Sequence, residues 1–93
     1  MIIKLKKFGE KLISRPSGRE AYLAMQAYIT RDIKDDEEIT IDFDDVKVLT
    51  PSWADEVITP LSKKYKNIKL ISTENITVQK TLETLRKYSD LKI

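Results

Sequence analysis

Apolar and charged residues alternate from the start of the chain. Ile3 and Leu5 stand between Lys4 and Lys6, the period of a half-buried strand, so a strand is predicted over Met1–Phe8. Gly9-Glu10 predicts a turn and Lys11–Ser14 a short second strand, so the two strands are expected to form a hairpin. The period then becomes helical. Ala21, Tyr22, Met25, Ile29 and Ile33 fall on one face, and Ser17 with Glu20 has the Ser-x-x-Glu spacing of a capping box. Together they predict a helix from about Ser17 to Arg31 or Asp32.

Beyond the charged loop Lys34–Glu37 lies the clearest strand pattern, with Ile39, Ile41 and Phe43 alternating with Thr40 and Asp42. Val46, Val48 and Leu49 extend the apolar stretch to Thr50-Pro51. Thr50 suits an N-cap and Pro51 the first helical position, where its missing N–H is not needed. Ser52 with Asp55 offers a second capping register. Trp53, Val57, Leu61 and Tyr65 form one helical face beside Ala54 and Ile58, and Pro60 is expected to kink this helix or weaken its second half. Ile68–Ser72 reads as a last strand. Asn75 caps a last helix with Val78, Leu82 and Leu85 on its face and Tyr88 near its end.

The order β-β-α-β-α-β-α predicts an α/β fold: one domain over residues 1–93, with a mixed four-stranded sheet packed by about three helices. The later strands should run parallel through right-handed crossovers, with the first antiparallel at one edge. Ile41 and Phe43 should be buried in a central strand, with Val57, Leu61, Val78, Leu82 and Leu85 facing the sheet.

Composition narrows the function. Lys plus Arg number 17 against 15 Asp plus Glu, a net charge of +2, too balanced for the basic footprint of a nucleic-acid binder. Neither His nor Cys occurs, which removes disulfides, thiolate metal sites, the commonest general base and Ser-His dyads. The expectation is therefore a domain without catalytic site, cofactor or metal site. Met1–Lys7 lacks the apolar run of a signal peptide and no segment is long enough to span a bilayer, so a cytoplasmic setting away from membranes is expected. Nothing in the sequence sets the oligomeric state.

Several residues are candidates for binding. Ser52 lies at a helix start, where free N–H groups and the helix dipole favour an anion; it is either a phosphosite or only a cap. Arg15, Ser17, Gly18, Arg19, Thr50 and Ser52 flank two helix starts that share one sheet edge, and either form an anion-friendly site or are ordinary capped ends. Asp42, Asp44, Asp45, Asp55 and Glu56 read as turn and first-turn carboxylates before they read as a Mg²⁺ site. Trp53 is either core or a surface anchor for a partner. Lys63–Lys66 and Arg86-Lys87 read as solvated helix ends.

The stretch from Ile39 to Glu56, above all Asp42-Phe43-Asp44-Asp45-Val46 and Thr50-Pro51-Ser52-Trp53-Ala54-Asp55-Glu56, resembles STAS-like domains, a branch related to the bacterial anti-sigma-factor antagonists. Trp53 stands where Phe is more usual, and Ser14–Arg19 is similar to the family's entry into its first helix. The resemblance implies a regulatory, non-catalytic protein-interaction module, with a histidine-kinase-like ATPase as partner. It also implies that Ser52 occupies the position phosphorylated in the antagonists. Those have an Asp-Ser-Ser-Gly-type run there, where this chain has Thr50-Pro51-Ser52-Trp53. The contact surface would comprise Arg15–Arg19 and Thr50–Glu56. The alternative is a small-anion or nucleotide sensor using the same helix starts.

Overall fold

Two interrupted strand paths organise the chain. The computed structural model describes residues 1–93. Its elements are β1 (Ile2–Lys4), a 3-10 turn (Leu5–Phe8), β2 (Lys11–Leu12), α1 (Arg15–Tyr28), β3 (Glu38–Asp42), β4 (Val48–Leu49), α2 (Pro51–Lys64), β5 (Asn67–Ile71) and α3 (Ile76–Tyr88). β1 and β3 run side by side with Ile3 opposite Ile41, and both then break. The first break ends at Gly9, whose φ of 130° suits glycine. The second turns at Asp45, with φ 63°, after the Asp42 carboxylate accepts the Asp44 N–H at 2.9 Å. Past both breaks the paths meet again as β2 and β4, with Leu12 opposite Leu49. Lys6 and Asp45 bridge the two breaks at 3.2 Å.

The α/β class and the three helices are as expected; the strand pairing differs in detail. β2 pairs with β4 and not with β1, so the expected hairpin is absent. β1 is parallel to β3 at a sheet edge, where an antiparallel strand was expected. In place of one four-stranded sheet there is a three-stranded sheet, β1-β3-β5, and a two-stranded one, β2-β4, with every pairing parallel. The cause is the 3-10 turn, which ends β1 at Lys4 and moves Lys11–Leu12 to a different neighbour.

The strand order β1-β3-β5 never reverses direction. Right-handed crossovers stepping the same way put their helices on the same face of the sheet. That face carries Ile3, Ile39 and Ile41, all buried, with Ile68 and Leu70. The other carries Ile2, Lys4, Thr40, Asp42, Lys69 and Ile71, none of them buried. α2 takes the central place: Trp53, Ala54, Val57, Ile58, Thr59 and Leu61 are buried, and the helix packs against both α1 and α3. Val78, Leu82 and Leu85 join the core as expected; Phe43 is buried too, but one residue past the end of β3 and not within the strand. The helix continues through Pro60 to Lys64 as one element.

α3 seals the free side of β4. Thr77 accepts the Leu49 N–H at 3.0 Å and Thr81 donates to the Leu49 carbonyl at 2.9 Å, while the Asn75 amide reaches the Lys47 carbonyl at 3.0 Å. Side chains thus satisfy an edge that would otherwise offer unpaired backbone groups to another strand.

α1 begins earlier than the Ser17–Glu20 spacing suggests. Ser14 is the cap, and its hydroxyl accepts the Ser17 N–H at 3.2 Å. Pro16 explains the shift, because a helix starting at Ser14 takes the proline into its first turn, where no N–H is missed. The helix also ends earlier, at Tyr28, where the N–H groups of Ile29 and Thr30 both close on the Met25 carbonyl.

Gly18 is buried where α1 crosses α2. A Cβ there would lie 2.6 Å from the Trp53 carbonyl oxygen and 3.0 Å from the Trp53 Cα, both backbone atoms that cannot rotate away. Alanine gains about 1 kcal/mol of helix propensity over glycine, but forced overpacking of this kind costs about 1–3 kcal/mol or more. Gly18→Ala is therefore expected to lower the stability measured by urea unfolding. An unchanged or raised midpoint would mean that the helices do not approach this closely.

Candidate functional site

The two helix starts lie side by side because the strands leading into them are paired. The β2–β4 ladder continues past its last residue, with the Thr50 N–H on the Leu12 carbonyl at 3.1 Å and the Thr50 hydroxyl on the Ile13 carbonyl. Ser14 and Thr50, the two caps, are thereby neighbours. Each is followed by a proline and a serine in the first turn, Pro16-Ser17 and Pro51-Ser52. Ser14 escaped the sequence reading, although this Ser/Thr-then-Pro pattern, which also precedes α2, signals it.

The candidate residues separate into two layers. Gly18 and Trp53 lie beneath the surface, and Trp53 is fully buried, with Phe8 packed against it at 6.4 Å between ring centroids. Trp53 is core and is not an exposed anchor for a partner. Its indole N–H has no hydrogen-bond partner. Arg15, Ser17, Arg19 and Ser52 are exposed above them, with Thr50, Asp55 and Glu56 half-buried.

The charged members pair with one another across the two helices. Arg15 Nη1 lies 3.1 Å from Asp55 Oδ2 and 3.6 Å from Glu56 Oε1, and Arg19 Nη2 lies 3.1 Å from the same Glu56 oxygen. Burial by itself pushes the Asp55 carboxyl up. Hydrogen bonding from Ser89, Thr59 and Arg15, with the Arg15 charge, outweighs that and holds it below the ordinary aspartate value.

This geometry gives the small-anion reading no support. The guanidinium groups face carboxylates of their own chain. The Ser17 and Gly18 N–H groups bond to Ser14, and those of Trp53 and Ala54 bond to Thr50, so the donors of both first turns are largely engaged. The sheet also lacks the reversal of strand order that opens a ligand crevice in doubly wound folds. Asp44 and Asp45 serve the turn after β3, and no group of three or more His, Cys, Asp or Glu side chains is placed to hold a metal ion. Ser52 differs from its neighbours. Thr50 performs the capping, and the Ser52 side chain is exposed and makes no hydrogen bond.

A family model described as "STAS-like domain of unknown function (DUF4325)" matches residues 27–80, more than half of the chain. The matched segment runs from the end of α1 into α3 and contains Thr50–Glu56, whereas Arg15–Arg19 lie outside it. No curated protein and no solved structure is significantly similar to the chain.

Two outcomes follow for this layer. A carboxyl held low in the fold adds stability above its unfolded pKa of about 3.9 and loses it as pH falls through the folded value. Asp55→Asn is thus expected to lower the melting temperature at neutral pH, with the gap to the unsubstituted chain closing below about pH 4. A gap independent of pH would assign the loss to packing. Trp53→Ala is expected to cost about 3–5 kcal/mol. Trp53→Phe should cost far less in the same denaturant titration, because it removes a buried unpaired N–H worth about 1–3 kcal/mol along with some volume.

Proposed function

The chain belongs to the family of STAS-like domains of unknown function, and from that premise we propose that it is a phospho-regulated module whose partner is a histidine-kinase-like ATPase. STAS-like domains are non-catalytic and have a general regulatory, protein-interaction role. No helix here is long and apolar enough to cross a membrane, and the proposed setting is the cytoplasm. The contact surface is the exposed layer over the paired helix starts: Arg15, Ser17, Arg19, Thr50, Ser52, Asp55 and Glu56. Gly18 and Trp53 contribute from beneath by fixing the spacing of the two helices.

The observation that carries the reading is the state of Ser52. Its hydroxyl is exposed and free of capping duty, yet it stands between Thr50, which is tied to β2, and Trp53, which is locked in the core. A rigid, accessible hydroxyl at a helix start suits a kinase substrate. Asp55 and Glu56 lie three and four residues on, one turn along the same face. A phosphate at Ser52 would add nearly two negative charges beside them, enough to turn a surface of balanced charge into an acidic one.

Incubation with radiolabelled ATP and each histidine-kinase-like ATPase of the source organism tests this. The chain is expected to take up label and Ser52→Ala to take up none; label that persists in Ser52→Ala would remove Ser52 from the account. Ser52→Ala is expected to keep partner binding and Ser52→Asp to lose it. Neither should change the melting temperature much. The favourable placement of Asp at a helix start, about 0.3–1 kcal/mol, is opposed by repulsion from Asp55 and Glu56. Equal partner affinity for the two variants would leave Ser52 without a regulatory role.

A further inference from the structure

Positive charge gathers at the far end of α2. Lys63 on the last turn of that helix, Lys66 just before β5 and Lys92 near the end of the chain line one hollow of about 280 Å³. Lys66 and Lys92 stand on anchored backbone. The Lys66 N–H donates to the Asp35 carbonyl at 3.3 Å. Lys92 lies between Leu91, which is buried, and Ile93, whose carbonyl accepts from Arg86 Nε at 2.7 Å. Asp90 supplies the one carboxylate lining the hollow and lies 3.8 Å from Lys92, so Lys63 and Lys66 are left without an ion pair. The helix dipole favours a cation at Lys63, but it does not account for Lys66 or Lys92, which come from two other segments. The rest of the lining is Tyr65, Ile93 and Ser62, and the Ser62 hydroxyl already donates to the Thr59 carbonyl at 2.7 Å.

We propose that this hollow is a docking site for a short acidic segment of a protein partner, with carboxylates on Lys63 and Lys66 and an apolar side chain against Ile93. Complementary charge selects the occupant, and the charges around the hollow limit its length. Asp35 and Asp36, which form no ion pair, are held beside the rim, because the Lys66 N–H and the Asn67 side-chain amide donate to their carbonyls. On the other side, Lys63 also lines a second hollow that contains Asp55 and Glu56. A long polyanion such as a nucleic acid would run from the lysines onto these carboxylates and be repelled, whereas two or three carboxylates of a peptide fit between them. The site is separate from Ser52, which lies eleven residues before Lys63 on α2. That spacing is ~16 Å along the helix axis, beyond the Debye length of about 8 Å at physiological salt. The inference therefore does not rest on modification of Ser52.

An NMR titration of the isotope-labelled chain with the capped peptide Glu-Leu-Glu-Leu-Glu, at an ionic strength of about 0.15 M, tests the proposal. The amide shifts are expected to saturate with a Kd on the order of 1 mM and to centre on Ser62–Asn67 and Lys92–Ile93. Lys63→Gln combined with Lys66→Gln should weaken binding about tenfold. Both side chains are exposed and make no ion pair or hydrogen bond, so the amide spectrum of this variant should otherwise match that of the unsubstituted chain. A peptide with Gln in place of each Glu should produce no shifts. Shifts that grow without saturating, or that spread equally to Lys4, Lys7 and Lys11, overturn the site, because bulk charge attraction produces both. So does an affinity indifferent to the double substitution, or a single-stranded DNA of equal charge bound as tightly as the peptide.

Discussion

Much of the structure depends on the approach of Gly18 to the backbone of Trp53. Helices normally stay about 8–10 Å apart because their side chains intervene, and a glycine at the crossing lets them come closer. Here the space beneath a missing Cβ is filled by a carbonyl oxygen of the neighbouring helix. The approach holds Arg15 and Arg19 within reach of Asp55 and Glu56, and it lies above the fully buried indole ring. The starts of α1 and α2 therefore form one continuous surface only because the two helices are pressed together.

Winding direction sets what kind of surface this is. With strand order β1-β3-β5, both crossover helices lie on one face and no crevice opens at the strand ends. The reversal of strand order at which doubly wound folds bind nucleotides has no counterpart here. What remains at that end is a rim of capped helix starts. The opposite face of the sheet, with Ile2, Thr40 and Lys69 in one row, stays partly open for the same reason.

The rim is electrically balanced in its ground state. Arginines on α1 meet carboxylates on α2, so the pair of helices is bridged without leaving net charge for a small anion. Exposed ion pairs of this type contribute little to stability, typically below about 1 kcal/mol. Their effect is to set the local field. The proposed addition of charge at Ser52 would act on a neutral background and give the surface a net negative charge.

The periodicity of Ile39–Phe43, of Trp53–Tyr65 and of Val78–Leu85 was enough to locate the central strand and two helices, because each buries one face and the period of a buried face is local. Thr50-Pro51 placed the start of α2 for the same reason: a cap and its proline act within one turn. The resemblance around Thr50–Glu56 pointed to the family. Partnership was not legible. Lys11–Leu12 and Val48–Leu49 are two-residue strands with no period of their own, and what they pair with depends on the breaks at Gly9 and Asp45. Ser14 rather than Ser17 capped α1 because Pro16 needed a place in the first turn. Whether Trp53 faced a partner or the core, and whether Arg15 and Arg19 were free or paired, were decided by contacts between residues some forty positions apart. Local sequence carries the propensity of each segment, but burial and charge pairing are properties of two segments at once, and only the folded chain brings them together.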